Sequence, residues 1–559
     1  MTSISETYTG HPFTFPTPYA MGTHLNPKMN PRPSLESEHF HVIVIGGGIN
    51  GVAIARECAR AGHRTLLLEQ HDFAAGATSR STRIIHGGLR YLEHGEIGQV
   101  RESLRERRWL LQRYPHLVNP LQFLLALDQS SRRSALAIRT GLWLYRRMGG
   151  ASLGANGNRS GQAKLERLLD KDRRFSVFSF EDAQCEFPER LVAEWLVEAI
   201  AAGAVVRNYT QVLAVGVRHG RATGVLLRDQ LRGTEERVEG TWIINATGPW
   251  ADSICQNSSI RTASPMVGGV RGSHIVLPKF AGAPDAAVYT EAVDGRPIFV
   301  IPWNEQVLVG TTEVPDGSDP GRVQPSPDEI EYLLCSLTRL FPQARVSQHD
   351  IHYAFAGVRP LPFSPNKNPS GVTRRHYLHD HRADGVAQMI SVIGGKLTTA
   401  GSLARKCAAR IGAKPTALPA LAVAAEENLD LMLDSWVDQV AEAGGIKTDS
   451  ARAIVEWHGK RSLAIAGIAA TSAELRAQLC PHTGHIVAEA VNAFASECAV
   501  TLADVLLRRV PVALGPCWSR ECSREAAFRV AAVMGWDEDQ TARELEAFEI
   551  ERDAFLRMP

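Results

Sequence analysis

The sequence predicts an α/β chain in which one nucleotide-binding unit is assembled from separated segments, and three observations carry that expectation. Residues 41 to 51 read His-Val-Ile-Val-Ile-Gly-Gly-Gly-Ile-Asn-Gly, a β-branched run that breaks into Gly46-x-Gly48-x-x-Gly51 and passes into a helical pattern. Two later strands also end in small residues, Trp242-Ile-Ile-Asn-Ala-Thr-Gly248 and Met389-Ile-Ser-Val-Ile-Gly394-Gly-Lys-Leu-Thr-Thr399. Strand-like runs fill residues 264 to 350, and residues 420 to 559 show helical patterns without glycine turns. The fold class is therefore α/β: a discontinuous Rossmann-like domain, an antiparallel β-sheet domain for substrate and a C-terminal all-α domain.

Residues 1–40, rich in Pro, Thr, Ser and His, have no apolar core and are expected to form a flexible tail rather than a targeting signal. The cofactor domain is expected from 41–113, 182–262 and 352–415, the cap from 114–181 and 263–351, and the helical domain from 416–559. With 559 residues, a length prior of about 100 to 200 residues per domain accommodates this division. Lys and Arg number 61 against 60 Asp and Glu, so no whole-chain charge draws it toward nucleic acid. Nine scattered cysteines without Cys-x-x-Cys spacing, and no secretory leader, predict reduced thiols in a cytoplasm and no metal. No run approaches about 20 apolar residues, so a spanning helix is not expected.

The first glycine turn is a dinucleotide cradle. A buried strand delivers the chain to a tight turn at Gly46, bare backbone at Gly48 admits a pyrophosphate, and Gly51 lets a helix from Ile49 to Ala61 pack closely. The second strand, Thr65 to Leu68, ends in Glu69, placed for the ribose hydroxyls of FAD or NAD. The helix Leu191 to Gly203 and strands near Val205 and Val225 lead to Ala246, Thr247 and Gly248, whose amides again face a cofactor. After Gly394 and Gly395, Lys396, Leu397 and Thr398 open a helix, whose unpaired N–H groups suit the carbonyl edge of a flavin. Substrate-sheet strands are expected at His274 to Leu277, Ile298 to Pro302 and Val307 to Gly310.

In Ala77-Thr-Ser-Arg-Ser-Thr-Arg-Ile-Ile-His-Gly-Gly-Leu-Arg-Tyr-Leu, the hydroxyls of Thr78, Ser79, Ser81 and Thr82 can bond phosphate and ribityl oxygens, while Gly87 and Gly88 allow backbone beside a flat ring. Here the chain resembles the FAD-dependent glycerol-3-phosphate dehydrogenases of the aerobic, quinone-linked type, among the D-amino-acid-oxidase-like flavoproteins. The strings that carry the resemblance are Ile43 to Gly51, Ile85-His-Gly-Gly-Leu-Arg-Tyr-Leu-Glu93, Asn245-Ala-Thr-Gly-Pro-Trp250, Arg271-Gly-Ser-His274, Gly310-Thr-Thr312, Gly357-Val-Arg-Pro-Leu361 and Gly394-Gly-Lys-Leu-Thr-Thr399. Leu502-Ala-Asp-Val-Leu-Leu-Arg-Arg509 resembles that family's C-terminal helical domain.

The resemblance implies FAD, and oxidation of sn-glycerol 3-phosphate to dihydroxyacetone phosphate by hydride transfer from C2 to flavin N5. A small phosphate ester calls for planar multidentate cations. Carry-over assigns Arg90, Tyr91 and Arg374 to the phosphate, and Arg359 and Lys396 to the reacting alcohol. A base must take the hydroxyl proton, and histidine suits that role. His274 is the substrate-side candidate, with neighbouring arginines expected to keep it neutral, while His86 positions the flavin. With His86, the cofactor contacts are Gly46, Gly48, Asn50, Gly51, Glu69, Thr78, Ser79, Ser81, Thr82, Gly87, Gly88, Ala246, Thr247, Gly248, Gly395, Lys396, Leu397 and Thr398.

Departures from the family pattern are Ala400-Gly401 in place of Tyr-Arg, Glu313 in place of Asp, and Phe187-Pro-Glu-Arg-Leu191 in place of an acidic pair. The first is expected to open space beside the flavin or alter contact with the electron acceptor. Arg132 to Met148 combines apolar positions with basic pairs at both ends and suits the surface of an anionic bilayer. The implied setting is cytoplasmic, peripheral on the inner face of the cell membrane, with a quinone or other acceptor as partner and a homodimer left open. The mixed charges of Arg101-Glu-Ser-Leu-Arg-Glu-Arg-Arg108 read as a solvated helix face. Alternatives left open are an oxygen-using glycerol-3-phosphate oxidase, an amine or amino-acid oxidase of the same fold, and a non-catalytic flavin-binding scaffold.

Overall fold

In the computed structural model, which describes residues 32–129, 131, 134–149, 159–365, 371–414 and 429–557, the chain lays down two sheets alternately. Strands β1 (His39–Ile45) and β2 (Thr65–Leu68) start the first; β3 (Ile84–Ile85), β4 (Val118–Asp128) and β5 (Phe175–Cys185) start the second. The chain returns to the first sheet for β6 (Val205–Arg207), β7 (Thr210–Arg218), β8 (Arg221–Asp229) and β9 (Thr234–Asn245). It then builds β10 (Val267–Pro278), β11 (Ala287–Glu291), β12 (Pro297–Trp303), β13 (Gln306–Gly310), β14 (Val314–Pro315) and β15 (Tyr353–Pro362) into the second, and finishes the first with β16 (Tyr377–Asp380) and β17 (Met389–Ile393).

Four neighbours in the first sheet, β17, β9, β1 and β2, run parallel, with Val44 beside both Leu67 and Ile244 and Ile390 beside Ile244. The last four residues of β1 are buried, as a doubly covered parallel strand requires. Helix α1 (Ile49–Arg60) is built largely from small residues, and α5 (Pro188–Ala201) and α8 (Ala400–Arg410) pack against it on one face of the sheet. The carboxyl ends of the parallel strands thus bring Gly46, Glu69, Ala246 and Gly394 to one edge, where open α/β sheets bind ligands.

Two sequence boundaries move, and one sheet changes character. Residues 32–40 are not a tail: Arg32 bonds Asn208, Leu35 and Phe40 are buried, and β1 already begins at His39. The flexible-tail expectation for 1–31 lies outside the described residues. Tyr353–Pro362 belongs to the substrate sheet, because β15 pairs with β10 from Val267↔Pro362 to Val276↔Tyr353. That sheet is mixed rather than purely antiparallel, since β11 runs parallel to β4.

The solvated face expected at 101–108 is also corrected. In α2 (Ile97–Arg113), Glu106 and Arg107 are buried, pairing with Arg405 and Asp182 respectively. Helix α2 is therefore an internal brace, and the start of α8 rests on it. Helices α3 (Ala135–Gly149) and α4 (Arg159–Leu168) follow β4; α6 (Ala251–Asn257) follows β9, and α7 (Pro327–Leu340) covers the second sheet.

The C-terminal segment is helical, as expected: α9 (Leu429–Gly444), α10 (Thr448–His458), α11 (Ser462–Ala469), α12 (Val487–Ser496), α13 (Leu502–Asp504) running into a π-turn, α14 (Arg520–Met534) and α15 (Glu538–Phe555). It is not packed as a separate unit. Ile486, Leu506, Val530 and Phe548 share one apolar core with Phe123, Trp303 and Phe355 of the second sheet.

Candidate active site

A cavity of about 790 Å³ runs between the two sheets. One wall is backbone. Gly46 has φ +103°, and a Cβ there would come within 2.7 Å of the Ala246 carbonyl oxygen; at Gly51 it would meet the Gly46 oxygen at 1.8 Å. The glycine spacing is therefore enforced by close packing of three chain segments. Asn50 reaches toward Gly394 with its amide, while its Oδ1 is buried without a hydrogen-bond partner. Bare cradle, orphaned acceptor and elongated cavity together fit an extended dinucleotide such as FAD.

Gly46, Gly48, Asn50, Glu69, Thr78, Ser79, Ser81, Thr82, His86, Ala246, Thr247, Gly248, Gly395, Lys396 and Leu397 all line this cavity. Several of their polar groups are engaged within the protein. The Gly47 and His71 amides donate to the Glu69 carboxylate at 2.6 and 2.9 Å, so this acid shapes the glycine turn. Thr78 Oγ1 accepts from the Ile49 amide at 3.1 Å, and Ser79 Oγ donates to the Ala74 carbonyl at 2.7 Å.

Gly87 and Gly88 are not among the residues that line the cavity. A Cβ at Gly87 would strike Tyr145 and Leu104, and one at Gly88 would strike the Tyr91 ring, so both glycines exist to admit neighbouring side chains. Thr398 acts through its hydroxyl, accepting from the His86 amide at 3.1 Å and fixing that turn against the start of α8.

The opposite wall is cationic. Its strands bring together residues far apart in sequence: β10 supplies His274, β15 supplies Arg359, and the turn after β13 supplies Thr311 and Glu313. Small residues make this placement feasible, since a Cβ at Gly272 would lie 2.2 Å from Arg359 Nη2 and one at Gly310 2.2 Å from the His274 ring. Arg359 donates to neutral oxygens, Thr311 Oγ1 at 2.7 Å and Thr312 O at 3.3 Å. Burial, then the nearby Arg374, push its pKa down to about 10. Beneath it, Glu329 accepts from Ser273 Oγ and Thr312 Oγ1 and is ion-paired with Arg271, tying the strand ends to the capped start of α7.

His274 is fully buried and stacks on Phe355 with ring centroids 4.9 Å apart. Its Nε2 shares a hydrogen bond of 2.9 Å with Thr82 Oγ1, while Nδ1 has no partner. Burial is the main cause that holds it well below the ordinary histidine range, followed by Arg359 and Arg83. Burial thus favours the uncharged imidazole. His86 is pushed to about 3 by burial, Lys396 and Arg107.

Lys396 Nζ lies 3.9 Å over the Tyr91 ring, and burial lowers its pKa to about 7 against the pull of Glu102 and Glu96. Arg374 pairs with Glu313 at the cavity edge. Arg90 sits in the turn Leu89–His94, but its side chain lies outside the described residues.

Two departures from the family pattern acquire physical roles. Ala400-Gly401 leaves no open space, because a Cβ at Gly401 would meet Glu106, Arg405 and Trp109; α2 fills the region. Glu189 is held in a buried bidentate pair with Arg83 rather than facing substrate. Sequence reasoning missed Arg80, a buried cation in the cavity wall whose guanidinium lies 5.4 Å from the Phe555 ring of α15. Its neighbours Ser79 and Ser81 were singled out, but nothing in the chain order announces that a C-terminal helix reaches this wall.

The fold and site define a flavin-dependent oxidoreductase: residues 41–400 match the FAD dependent oxidoreductase family, and residues 390–541 match the C-terminal domain of alpha-glycerophosphate oxidase. The chain is 36% identical over 544 residues to a glycerol-3-phosphate dehydrogenase of Synechocystis sp., covering 92% of this chain and 97% of that protein. A D-erythritol 1-phosphate dehydrogenase of Brucella abortus is 36% identical over 377 residues, covering 66% of this chain and 73% of its own. The fold is shared with the glycerol-3-phosphate dehydrogenase of Bacillus halodurans complexed with FAD, at a TM-score of 0.73 and 23% identity, covering 93% of this chain and 96% of that one. This chain belongs to the FAD-dependent glycerol-3-phosphate dehydrogenase family, and FAD is its cofactor.

Proposed function

We propose that the enzyme oxidises sn-glycerol 3-phosphate to dihydroxyacetone phosphate and passes the electrons to a quinone. The observation that carries this reading is a neutral, buried His274 with an unpartnered ring nitrogen beside Arg359, a cation bonded to neutral oxygens. The glycine cradle at Gly46, Gly48 and Gly51 would hold FAD, which would supply the hydride acceptor for C2. His274 takes the C2 hydroxyl proton, and Arg359 stabilises the negative charge that develops on that oxygen. Arg374, Tyr91 and Arg90 hold the phosphate, with Lys396 bridging the two ends. Burial between the sheets excludes water from the reacting atoms and strengthens these charge interactions.

The quinone reading draws on α3. Its inner residues Ile138, Leu142 and Tyr145 are buried, while Leu136 and Trp143 are exposed beside Arg139, Arg146 and Arg147. An exposed apolar stripe flanked by arginines suits the surface of an anionic bilayer. Arg132 and Arg133, at the other end of the expected segment, lie outside the described residues. No helix among the described residues is long and apolar enough to cross a membrane.

Anaerobic mixing of the purified holoenzyme with glycerol 3-phosphate tests the reaction. Loss of the oxidised flavin band, followed by faster reoxidation with a soluble quinone than with air, is the expected result. Reoxidation by oxygen with stoichiometric hydrogen peroxide would make it an oxidase instead. Bleaching by amines alone, or by nothing tried, would overturn the substrate assignment.

A further inference from the structure

Outside the cavity lining, three side chains of metal-ligand type converge in the C-terminal helices. Cys480 Sγ and Cys522 Sγ are 3.4 Å apart, and His482 Nδ1 lies 3.5 Å from the first and 3.9 Å from the second. Cys517, three residues before the start of α14, lies beside them, its carbonyl oxygen 3.6 Å from Cys522 Sγ. The residues come from two short segments, Cys480-Pro-His482 before α12 and Cys517-x4-Cys522 at the start of α14.

We propose that Cys480, His482, Cys517 and Cys522 bind one zinc ion in a closed, structural Cys3His site. A tetrahedral zinc ion with Zn–S of about 2.3 Å and Zn–N of about 2.0 Å sets its ligands about 3.8 Å apart for sulfur pairs and about 3.6 Å for sulfur and nitrogen. The three separations, 3.4, 3.5 and 3.9 Å, lie within about 0.4 Å of those edges. A disulfide would bring the two sulfurs to about 2.05 Å. A two-iron cluster spreads its ligands over two metals, so a group gathered around a single point fits one ion better.

The surroundings support the assignment. The His482 amide donates to Cys480 Sγ at 3.4 Å, and the Ser519 hydroxyl to Cys522 Sγ at 3.5 Å, the outer hydrogen bonds that orient thiolate ligands. Two other groupings of possible metal ligands behave differently. His381 is satisfied by Asp384 and Ser391. Glu194 and Glu497 are already neutralised by Arg190 and Arg461. Cationic partners of this kind repel a metal ion, whereas no arginine or lysine bond is made to the Cys480 cluster among the described contacts.

The site would clasp the turn before α12 to the start of α14. Cys480 and Cys522 both belong to the core shared by the helices and the substrate sheet, which also holds Phe548 of α15. Sequence reading passed over it because the spacing is Cys-x-His and Cys-x4-Cys, not the Cys-x-x-Cys of common zinc modules.

The test is elemental analysis of the full-length holoenzyme purified without chelator from zinc-supplemented cells. About one zinc per chain is expected, lost in Cys480→Ser and in Cys522→Ser. Where those variants do not fold, titrating the wild-type thiols with a mercurial while following zinc release gives the same reading. Cobalt replacement should produce the red-region absorption of a tetrahedral thiolate site, clear of the flavin band. Zinc well below one per chain, with no cobalt band, overturns the proposal. So does a Cys480–Cys522 disulfide by mass, or iron with acid-labile sulfide in place of zinc.

Discussion

Two buried ionic regions of this enzyme use the same residue types to opposite ends. Where the first sheet meets the C-terminal helices, every major cation faces carboxylates. Arg190 grips Glu497 at 2.7 and 3.1 Å, Arg461 bridges Glu194 and Glu497, and Arg509 closes on Asp72 at 2.7 and 2.8 Å. These contacts hold the carboxyl of Glu497 well below the usual range and raise Arg461 and Arg509, despite burial. In the cavity between the sheets two cations are under-compensated, although Arg374 has Glu313: Arg359 bonds neutral oxygens, and Arg359 and Lys396 fall to about 10 and about 7. A buried cation with its carboxylate in place is a staple; one without is a receptor for an anion that arrives from outside.

The comparison breaks most directly at the staple. Glu497→Gln leaves Arg190 and Arg461 short of an anion and is expected to cost about 3–5 kcal/mol of stability. A fall in thermal midpoint, with little change in KM for the protein that remains folded, would be measured. An unaltered melting curve would show that the network is not structural.

At the receptor, His274→Asn is expected to lower kcat by about 10²–10³-fold, in the range of general-base catalysis, while the protein keeps its flavin and its melting temperature. Stopped-flow flavin reduction is the readout, and unchanged reduction would remove His274 from the chemistry. Arg359→Lys tests geometry apart from charge. Since a lysine cannot reproduce planar donors beside Thr311, kcat/KM should fall about 30-fold or more although the charge is kept.

Smaller effects sharpen the same contrast. Lys396 lies below its ordinary value, so in the free enzyme it loses its proton as pH rises through about 7 and with it the pull on an anion. KM should therefore climb above that pH, and Lys396→Met should flatten the profile. Glu313→Gln frees Arg374 from its ion pair and is expected to lower KM only a few-fold; a raised KM would make Glu313 part of the binding arrangement instead.

Much of the fold was legible because it rests on local chemistry. The strand Thr65–Leu68 and the helix from Ile49 stand where β-branched runs and the glycine turn put them. Arg359, Arg374 and His274, which the motifs around them point to, do meet in one cavity. What misled was burial. The mixed charges of 101–108 look solvated in sequence, yet Arg107 and Glu106 are buried against partners about 75 and 300 residues away. Gly87 and Gly88 looked like room for a ring, and the room is taken by Tyr145, Leu104 and Tyr91.

By itself the sequence determined the glycine cradle, the three-part nucleotide unit and the family, because each depends on short strings whose backbone requirements are local. Only the tertiary structure decided which charges are paired. Arginine and glutamate carry no mark of their partners in chain order; pairing depends on which strand ends and helices the two sheets bring within a few ångströms, and on how much water is left between them. The same holds for Cys480, His482 and Cys522, three residues in two distant segments that folding gathers into one cluster.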